Sequence, residues 1–350
     1  MSATDTRLNQ EEIDAVMPHW GVGPVLFTRP AGGTANASVI VVTRGGQFVL
    51  KRRNPRYCGP GEREYDHHVM HRLHRGGLPV PKVIHTRSDS RWVQYRDNTY
   101  ELFEFIEGTT HIARNDAQVA EAGALLAKFH RATEALDPPG EKHFGRFWDP
   151  ADARGLLERF IRQAHNEGNN ASTPPNAVEA LEELITVCED VAQDVPDSIY
   201  WDLPSPIIHG DWHPWNVSWN DDRIAGIFDF DWVDRQPRLV DIADGLLYFC
   251  PLTEDLSDSP DIWQLSQAFE PDVHRIGVFL GAYDRLETLT DRELKLLPHF
   301  ARIRWIYSRV DAADRKVEPE NQLHFILRDV FVPLKWLDTH TSFLLERRCN

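Results

Sequence analysis

The sequence is poor in cysteine, in positive charge and in long apolar runs, and each shortage removes a class of protein. Its four cysteines, Cys58, Cys188, Cys250 and Cys349, lie far apart with no CxxC pair, which excludes a zinc framework or a small disulfide scaffold and predicts a reducing, cytoplasmic setting. Lysine and arginine total 38 against 54 aspartates and glutamates, a formal net charge of −16. Neither nucleic acid nor an anionic membrane surface is therefore an expected partner; the acidity suits a cationic or zwitterionic small substrate. No stretch approaches the roughly 18 apolar residues of a membrane span. The opening MSATDTRLNQEE has neither the basic nor the apolar region of a secretory signal.

What is present divides into two parts. Asn9 with Glu12 three residues on forms a capping-box pattern ahead of Ile13, Val16 and Met17, so a short helix is expected, ended or bent by Pro18. VLFTRP, SVIVVT and GQFVLK read as strands, with Gly45-Gly46 as a hairpin turn. REYDHHVMHRLHRGG follows as an amphipathic helix closed by Gly76-Gly77, and RWVQY and TYELFEFIEG restore strand character. Residues 1–106 thus predict a small antiparallel sheet with one packed helix. Residues 107–350 are mainly helical in period, apart from short β-type runs over 207–230, so the fold class is α+β with two lobes.

The chemistry concentrates in IIHGDWHPWN, residues 207–216. Asp211 and Asn216 are five residues apart, the separation of Asp and Asn in the kinase catalytic loop HRDxxxxN. A loop of that length can aim a carboxylate at a hydroxyl while its far end turns an amide oxygen toward a metal. NVSWNDDRIAGIFDFD then reads as strand, turn and strand, returning Asp229 beside Asn216 as a hard oxygen ligand for Mg²⁺.

HGDxHxxN followed by IFDFD resembles the aminoglycoside phosphotransferase superfamily, small-molecule kinases with a protein-kinase-like fold that include choline kinases and type II homoserine kinases. The resemblance covers nearly the whole chain and implies a bilobal fold, with a nucleotide-binding lobe over 1–106 and a catalytic and substrate-binding lobe over 107–350. It implies ATP and Mg²⁺ as cofactors and a small hydroxylated acceptor: a homoserine-like amino alcohol first, then an amino sugar or aminoglycoside, then a choline-like alcohol. RPAGGTANASVIVV looks like the nucleotide-covering loop, with Gly32 and Gly33 approaching the phosphates and Asn36 closing the turn. FVLK looks like the strand carrying the phosphate-binding Lys51. FEFIEG looks like the hinge, whose backbone at Glu104 and Ile106 would meet adenine. By the same similarity Asp211 is the catalytic carboxylate that would orient the acceptor hydroxyl and take its proton, while Asn216 and Asp229 would be the metal ligands.

The resemblance also raises points of departure. Lys51 should pair with a helix glutamate, yet the expected position holds Asp66, with Glu64 and Glu62 as alternatives. DFD stands where protein kinases carry DFG, and Asp231 reads better as a structural acid than as a further metal or substrate group. Asp241 looks like the acid that braces the catalytic loop. His209 and His213 read as structural histidines bonding loop backbone, since Gly210 and Pro214 oppose the helix a zinc pair would need. RIRWIYSRVDAADR resembles a C-terminal stretch of type II homoserine kinases; its Arg302, Arg304 and Arg309 either grip a substrate carboxylate or make surface ion pairs. No APE motif or long activation segment separates Asp229 from Asp241, which disfavours a peptide acceptor. The alternative from another class is a catalytically silent nucleotide-binding regulator.

Overall fold

The computed structural model describes residues 8–31, 37–167, 174–251, 261–267 and 269–346. Gly32, Gly33 and Asn36 lie outside them, as does most of the polar loop read at 166–176. In chain order the elements are α1 (Gln10–Val16), β1 (Val25–Pro30), β2 (Ala37–Thr43), β3 (Gly46–Arg52), α2 (Pro60–Arg75), β4 (Val93–Tyr95) and β5 (Asn98–Glu104). There follow α3 (Asp116–Thr133), α4 (Pro150–Glu167), α5 (Ala177–Asp194), α6 (Asp197–Tyr200), β6 (Ile207–Ile208), β7 (Val217–Asn220), β8 (Arg223–Ile227) and β9 (Asp234–Arg235). The rest is helical: α7 (Leu239–Phe249), α8 (Ile262–Leu265), α9 (Val273–Asp284), α10 (Asp291–Lys316), α11 (Gln322–Leu327) and α12 (Phe331–Glu346). This is the two-lobed α+β arrangement expected from the sequence. Among the described residues no helix is long and apolar enough to cross a membrane.

The first lobe is an antiparallel sheet in the order β1-β2-β3-β5-β4. Its β2–β3 hairpin turns where Thr43 pairs with Gly46, a residue at φ +135° that suits glycine. The leading helix forms as its cap predicts: Asn9 Oδ1 accepts from the Glu12 amide at 2.9 Å and Glu12 Oε2 accepts from the Asn9 amide at 3.0 Å.

Alternation along the strands sorts side chains to two faces. Leu50, Tyr100 and Leu102 join Ile13, Val16, Met17 and Trp20 in one small core, and Arg52 reaches Glu12 at 2.6 Å on that same side. Lys51 and Glu101, opposite each other in the β3–β5 register, face the other way, toward the turn carrying Asp229 and toward His67 of α2. Arg53, just past β3, keeps the alternation and shares that face; its amide extends the ladder to the Thr99 carbonyl at 2.9 Å. The segment 82–84 runs beside β5, with Ile84 donating to Leu102 O and Glu104 to Lys82 O.

The larger core is built on α3, α4, α5, α7, α9 and α10 of the second lobe and takes in Tyr65, Val69, Met70 and Leu73 of α2. Helix α7 is buried around nearly its whole circumference, yet carries Asp241 and Asp244, both with no exposed surface. Buried carboxylates persist only where partners satisfy them, and here the partners include backbone amides of the loop after β6.

Candidate active site

The loop between β6 and β7 is held from below by α7. Asp241 Oδ2 accepts from the His209 amide and Oδ1 from the Gly210 amide, each at 2.7 Å. His130 from α3 adds a contact to Asp241 at 3.0 Å, and Tyr283 in turn lies 2.8 Å from the other nitrogen of His130. Asp244 accepts from the Trp212 amide at 3.2 Å. Gly210 sits at φ +78°, and a Cβ there would fall 2.5 Å from the Trp232 carbonyl oxygen. Only glycine fits a backbone lying that close in that conformation. Trp212, fully buried, anchors the loop on its apolar side.

Asp211 emerges from this frame. Its Oδ2 accepts from Asn216 Nδ2 at 3.0 Å and faces His213 Nε2 at 3.2 Å, while Oδ1 faces Arg304 Nη2 at 3.3 Å. Burial would raise the pKa of this carboxyl, but His213 and Arg304 outweigh it and hold Asp211 well below the ordinary aspartate range. The effect is mutual: burial opposes the charged imidazolium, and Asp211 more than compensates, raising His213. The second nitrogen of His213 accepts from the Trp215 amide at 3.2 Å, and His209 Nε2 lies 2.8 Å from the Phe228 carbonyl. Both histidines bond backbone, and His213 also touches the central carboxylate.

Arg304 is shared. Its Nε donates to Asp244, whose carboxyl burial pushes up to about 7 despite that arginine. Its guanidinium lies over the rings of Trp148 and Tyr248 at 4.6 and 5.4 Å. The other two arginines of α10 are placed elsewhere. Arg302 pairs with Asp338 at 2.8 Å, and the buried Arg309 donates to the carbonyls of Phe325, Ile326, Arg328 and Ser266. The three arginines therefore do not form a common grip on a substrate carboxylate.

Asn216 and Asp229 are joined by the β7–β8 hairpin: Val217 pairs with Ile227, and the Phe228 amide donates to Asn216 O at 2.8 Å. Since Asn216 Nδ2 is committed to Asp211, its amide oxygen is the atom left to meet a cation. Asp229 adopts φ +59°, a left-handed conformation that aspartate tolerates better than most residues. Its Oδ1 lies 3.1 Å from Lys51 Nζ. Lys316, at the end of α10, feels the charge of both Asp211 and Asp229, although desolvation draws its pKa down. Two oxygen donors beside a lysine suit Mg²⁺, which takes one or two protein ligands and completes its shell with water and phosphate oxygens. Among the described residues no three His, Cys, Asp or Glu side chains form a closed metal cage.

The partner expected for Lys51 is not the one found. Asp66 gives Oδ2 to Arg53 Nη2 at 2.5 Å and Oδ1 to Lys142 Nζ at 2.6 Å, so both its oxygens already face cations. Glu62 caps the start of α2 through the Gly59 amide at 2.7 Å, and Glu64 is exposed. Lys51 instead contacts Asp229 and, at 2.8 Å, Asp231 Oδ1, which also faces Arg53 at 3.3 Å. Burial disfavours the Lys51 ammonium, but these two aspartates overcompensate and raise its pKa. Asp231 is thus an acid paired with the first-lobe cations. Glu101 lies 3.2 Å from Arg53 and 2.9 Å from His67. Of the hinge positions, Glu104 uses its amide on Lys82 O, leaving its carbonyl as the group available to a base.

Arg53, Glu101, Asp244 and Lys142 were not singled out from the sequence. The first two were within reach of strand alternation from Lys51, and Asp244 stands one turn beyond Asp241 in an apolar helix. Lys142, in the loop GEKHF, carries no local signal.

With the site described, comparison with known proteins assigns the class. Residues 27–276 match the phosphotransferase enzyme family, more than half of the chain, and the protein belongs to that family. It is a small-molecule kinase. A homoserine kinase from Chelativorans sp. (strain BNC1) is 25% identical over 312 residues, covering 86% of this chain and 84% of its own. An aminoglycoside phosphotransferase from Alicyclobacillus acidocaldarius superposes with a TM-score of 0.70 at 16% identity, over 99% of this chain and 98% of its own. An amicoumacin kinase in complex with AMP-PNP, Ca²⁺ and Ami gives a TM-score of 0.65 at 14% identity, over 95% and 94%.

Proposed function

We propose that the protein transfers the γ-phosphoryl group of ATP, with Mg²⁺, to the hydroxyl of a small amino compound, with a homoserine-like amino alcohol as the first candidate and amino sugars or aminoglycosides next. The observation that carries this reading is the linked set of Asp211, Asn216, Asp229 and Lys51, joined by contacts of about 3 Å from loop to hairpin to strand. Phosphoryl transfer depends on positioning and charge neutralisation, and this set supplies both. Asp211, ionised and oriented by Asn216 and Arg304, would align the acceptor hydroxyl and accept its proton late in the transfer. Lys51 would hold non-bridging phosphate oxygens. Asn216 and Asp229 would hold the cation, and bound Mg²⁺ supplies neutralisation of the charge that develops on the phosphates. The Glu104 carbonyl and the Ile106 amide would meet adenine, and Gly32 and Gly33 would cover the phosphates. We place the boundary between the nucleotide lobe and the catalytic lobe at 106/107, and the protein in the cytoplasm.

The homoserine-like acceptor rests on the homoserine kinase relative and not on an arginine clamp, since Arg302, Arg304 and Arg309 are all engaged within the protein. The test is ADP release with MgATP and a panel of homoserine, other amino alcohols, choline, amino sugars and aminoglycosides. Turnover with an amino alcohol supports the reading. Nucleotide binding with no ADP from any acceptor favours the silent regulator.

A further inference from the structure

In protein kinases the strand lysine and a helix acid pair with each other, and that pair seats the helix against the site. Here the helix acid is matched without the strand lysine. Both oxygens of Asp66 face cations, Arg53 at 2.5 Å and Lys142 at 2.6 Å, while Lys51 contacts Asp229 and Asp231. The ammonium of Lys142 is fully buried, a placement that is costly unless its charge is compensated. It comes from the loop between α3 and α4, in the second lobe, and donates to the Asp231 carbonyl at 3.0 Å as well as facing Asp66.

The surrounding backbone is fitted to this bridge. Gly140 packs so tightly on the start of α2 that a Cβ there would lie 2.1 Å from the Gly61 carbonyl oxygen. Phe144 stacks on Trp232 at 5.3 Å, and Tyr57 meets the same indole at 5.0 Å. The loop around Lys142 therefore touches both α2 and the turn that carries Asp229 and Asp231.

We infer that Lys142 is the positioning residue that seats α2 and the 228–233 turn against each other, so that Lys51 has no part in holding the helix and is left to the phosphate side of the cleft. This rests on the proposed nucleotide site only for the role given to Lys51. The seating of α2 is tested separately.

The experiment is amide hydrogen exchange across α2 and residues 228–233 in the full chain, for wild type, Lys51→Met, Lys142→Met, Asp66→Asn and the double variant Lys142→Met/Asp66→Asn. Lys51→Met should leave α2 protection within about twofold of wild type, and Lys142→Met should speed its exchange by about tenfold or more. The double variant should lose less protection than the two single changes summed, because each removes the charge that the other leaves unpaired, although Arg53 also loses its Asp66 contact. In parallel, Lys142→Met should lower kcat or raise the nucleotide KM per folded molecule while leaving the acceptor KM within about twofold. A merely structural lysine would only reduce the folded fraction. Should Lys142→Met not fold, Lys142→Gln removes the same charge while keeping a donor for the Asp231 carbonyl and is read the same way. The inference is overturned if Lys51→Met loosens α2 as much as Lys142→Met does, or if Lys142→Met changes neither exchange nor kinetics. Failure of wild type to bind an ATP analogue would count against the nucleotide site, and the exchange pattern would still decide the role of Lys142.

Discussion

The loop over 207–216 and the ion-pair network around α2 solve the same problem, keeping charged side chains paired, in opposite ways. The loop is local. Asp211 and Asn216 are five residues apart and bond each other, and one helix, α7, supplies Asp241 and Asp244 to hold the backbone beneath them. The network draws on separate stretches: Lys51 and Arg53 near β3, Asp66 in α2, Glu101 in β5, Lys142 in a second-lobe loop, and Asp229 and Asp231 after β8. A local device can be read as a motif. A dispersed one depends on which of several chemically equivalent cations reaches which acid, and only the folded chain decides that.

Substitutions at the two regions should differ in kind. The largest effect is expected from Asp211→Asn, which removes the positioned acid but keeps its shape: turnover should fall about a hundredfold or more with nucleotide affinity nearly kept, measured by steady-state kinetics and analogue binding. Asp241→Asn attacks the brace. Its carboxylate accepts two buried backbone amides, so the change should lower stability by about 2 kcal/mol and depress turnover with little effect on acceptor KM, measured by denaturant unfolding and kinetics.

In the network, Glu101→Gln should show itself through pH. Burial would raise the Glu101 pKa, but Arg53 and His67 hold it down at about 2, against an ordinary 4.5. A depressed acid stabilises the fold fully above its unfolded pKa, and that contribution is lost as pH falls toward the folded value. The Tm difference between wild type and Glu101→Gln should therefore be largest near neutrality and shrink progressively below about pH 4.5. A constant difference down to pH 3 would remove Glu101 from the network. The smallest effect is expected from Arg302→Ala, whose pair with Asp338 lies at the surface: about 0.5 kcal/mol or less, with acceptor KM unchanged. A large rise in acceptor KM would restore Arg302 to substrate recognition.

The same contrast explains what the sequence revealed. The Asn9 cap, the Gly45-Gly46 hairpin, the helix before Gly76 and the Asp211–Asn216 spacing are set by neighbours within a few residues, and each is present in the fold. The bracing role expected of Asp241 is also present, because a buried acid in an apolar helix must find donors. None of the helix acids expected as partner of Lys51, Asp66 first and Glu64 or Glu62 as alternatives, contacts it; Asp229 and Asp231 do. Counting along α2 locates an acid but cannot show that Lys142, far along the chain, already occupies it. Likewise, three arginines spaced along α10 looked equivalent, yet helix rotation sends Arg302 to the surface, Arg309 into carbonyls and Arg304 to Asp211.

The most direct test of the central claim is the structure of the protein with AMP-PNP and Mg²⁺ bound. The account predicts the cation between Asp229 and the Asn216 amide oxygen, Lys51 released from Asp229 onto phosphate oxygens, and Asp66 still on Lys142. A nucleotide bound away from Asp211 and Asp229, or Lys51 transferred to Asp66, would contradict it.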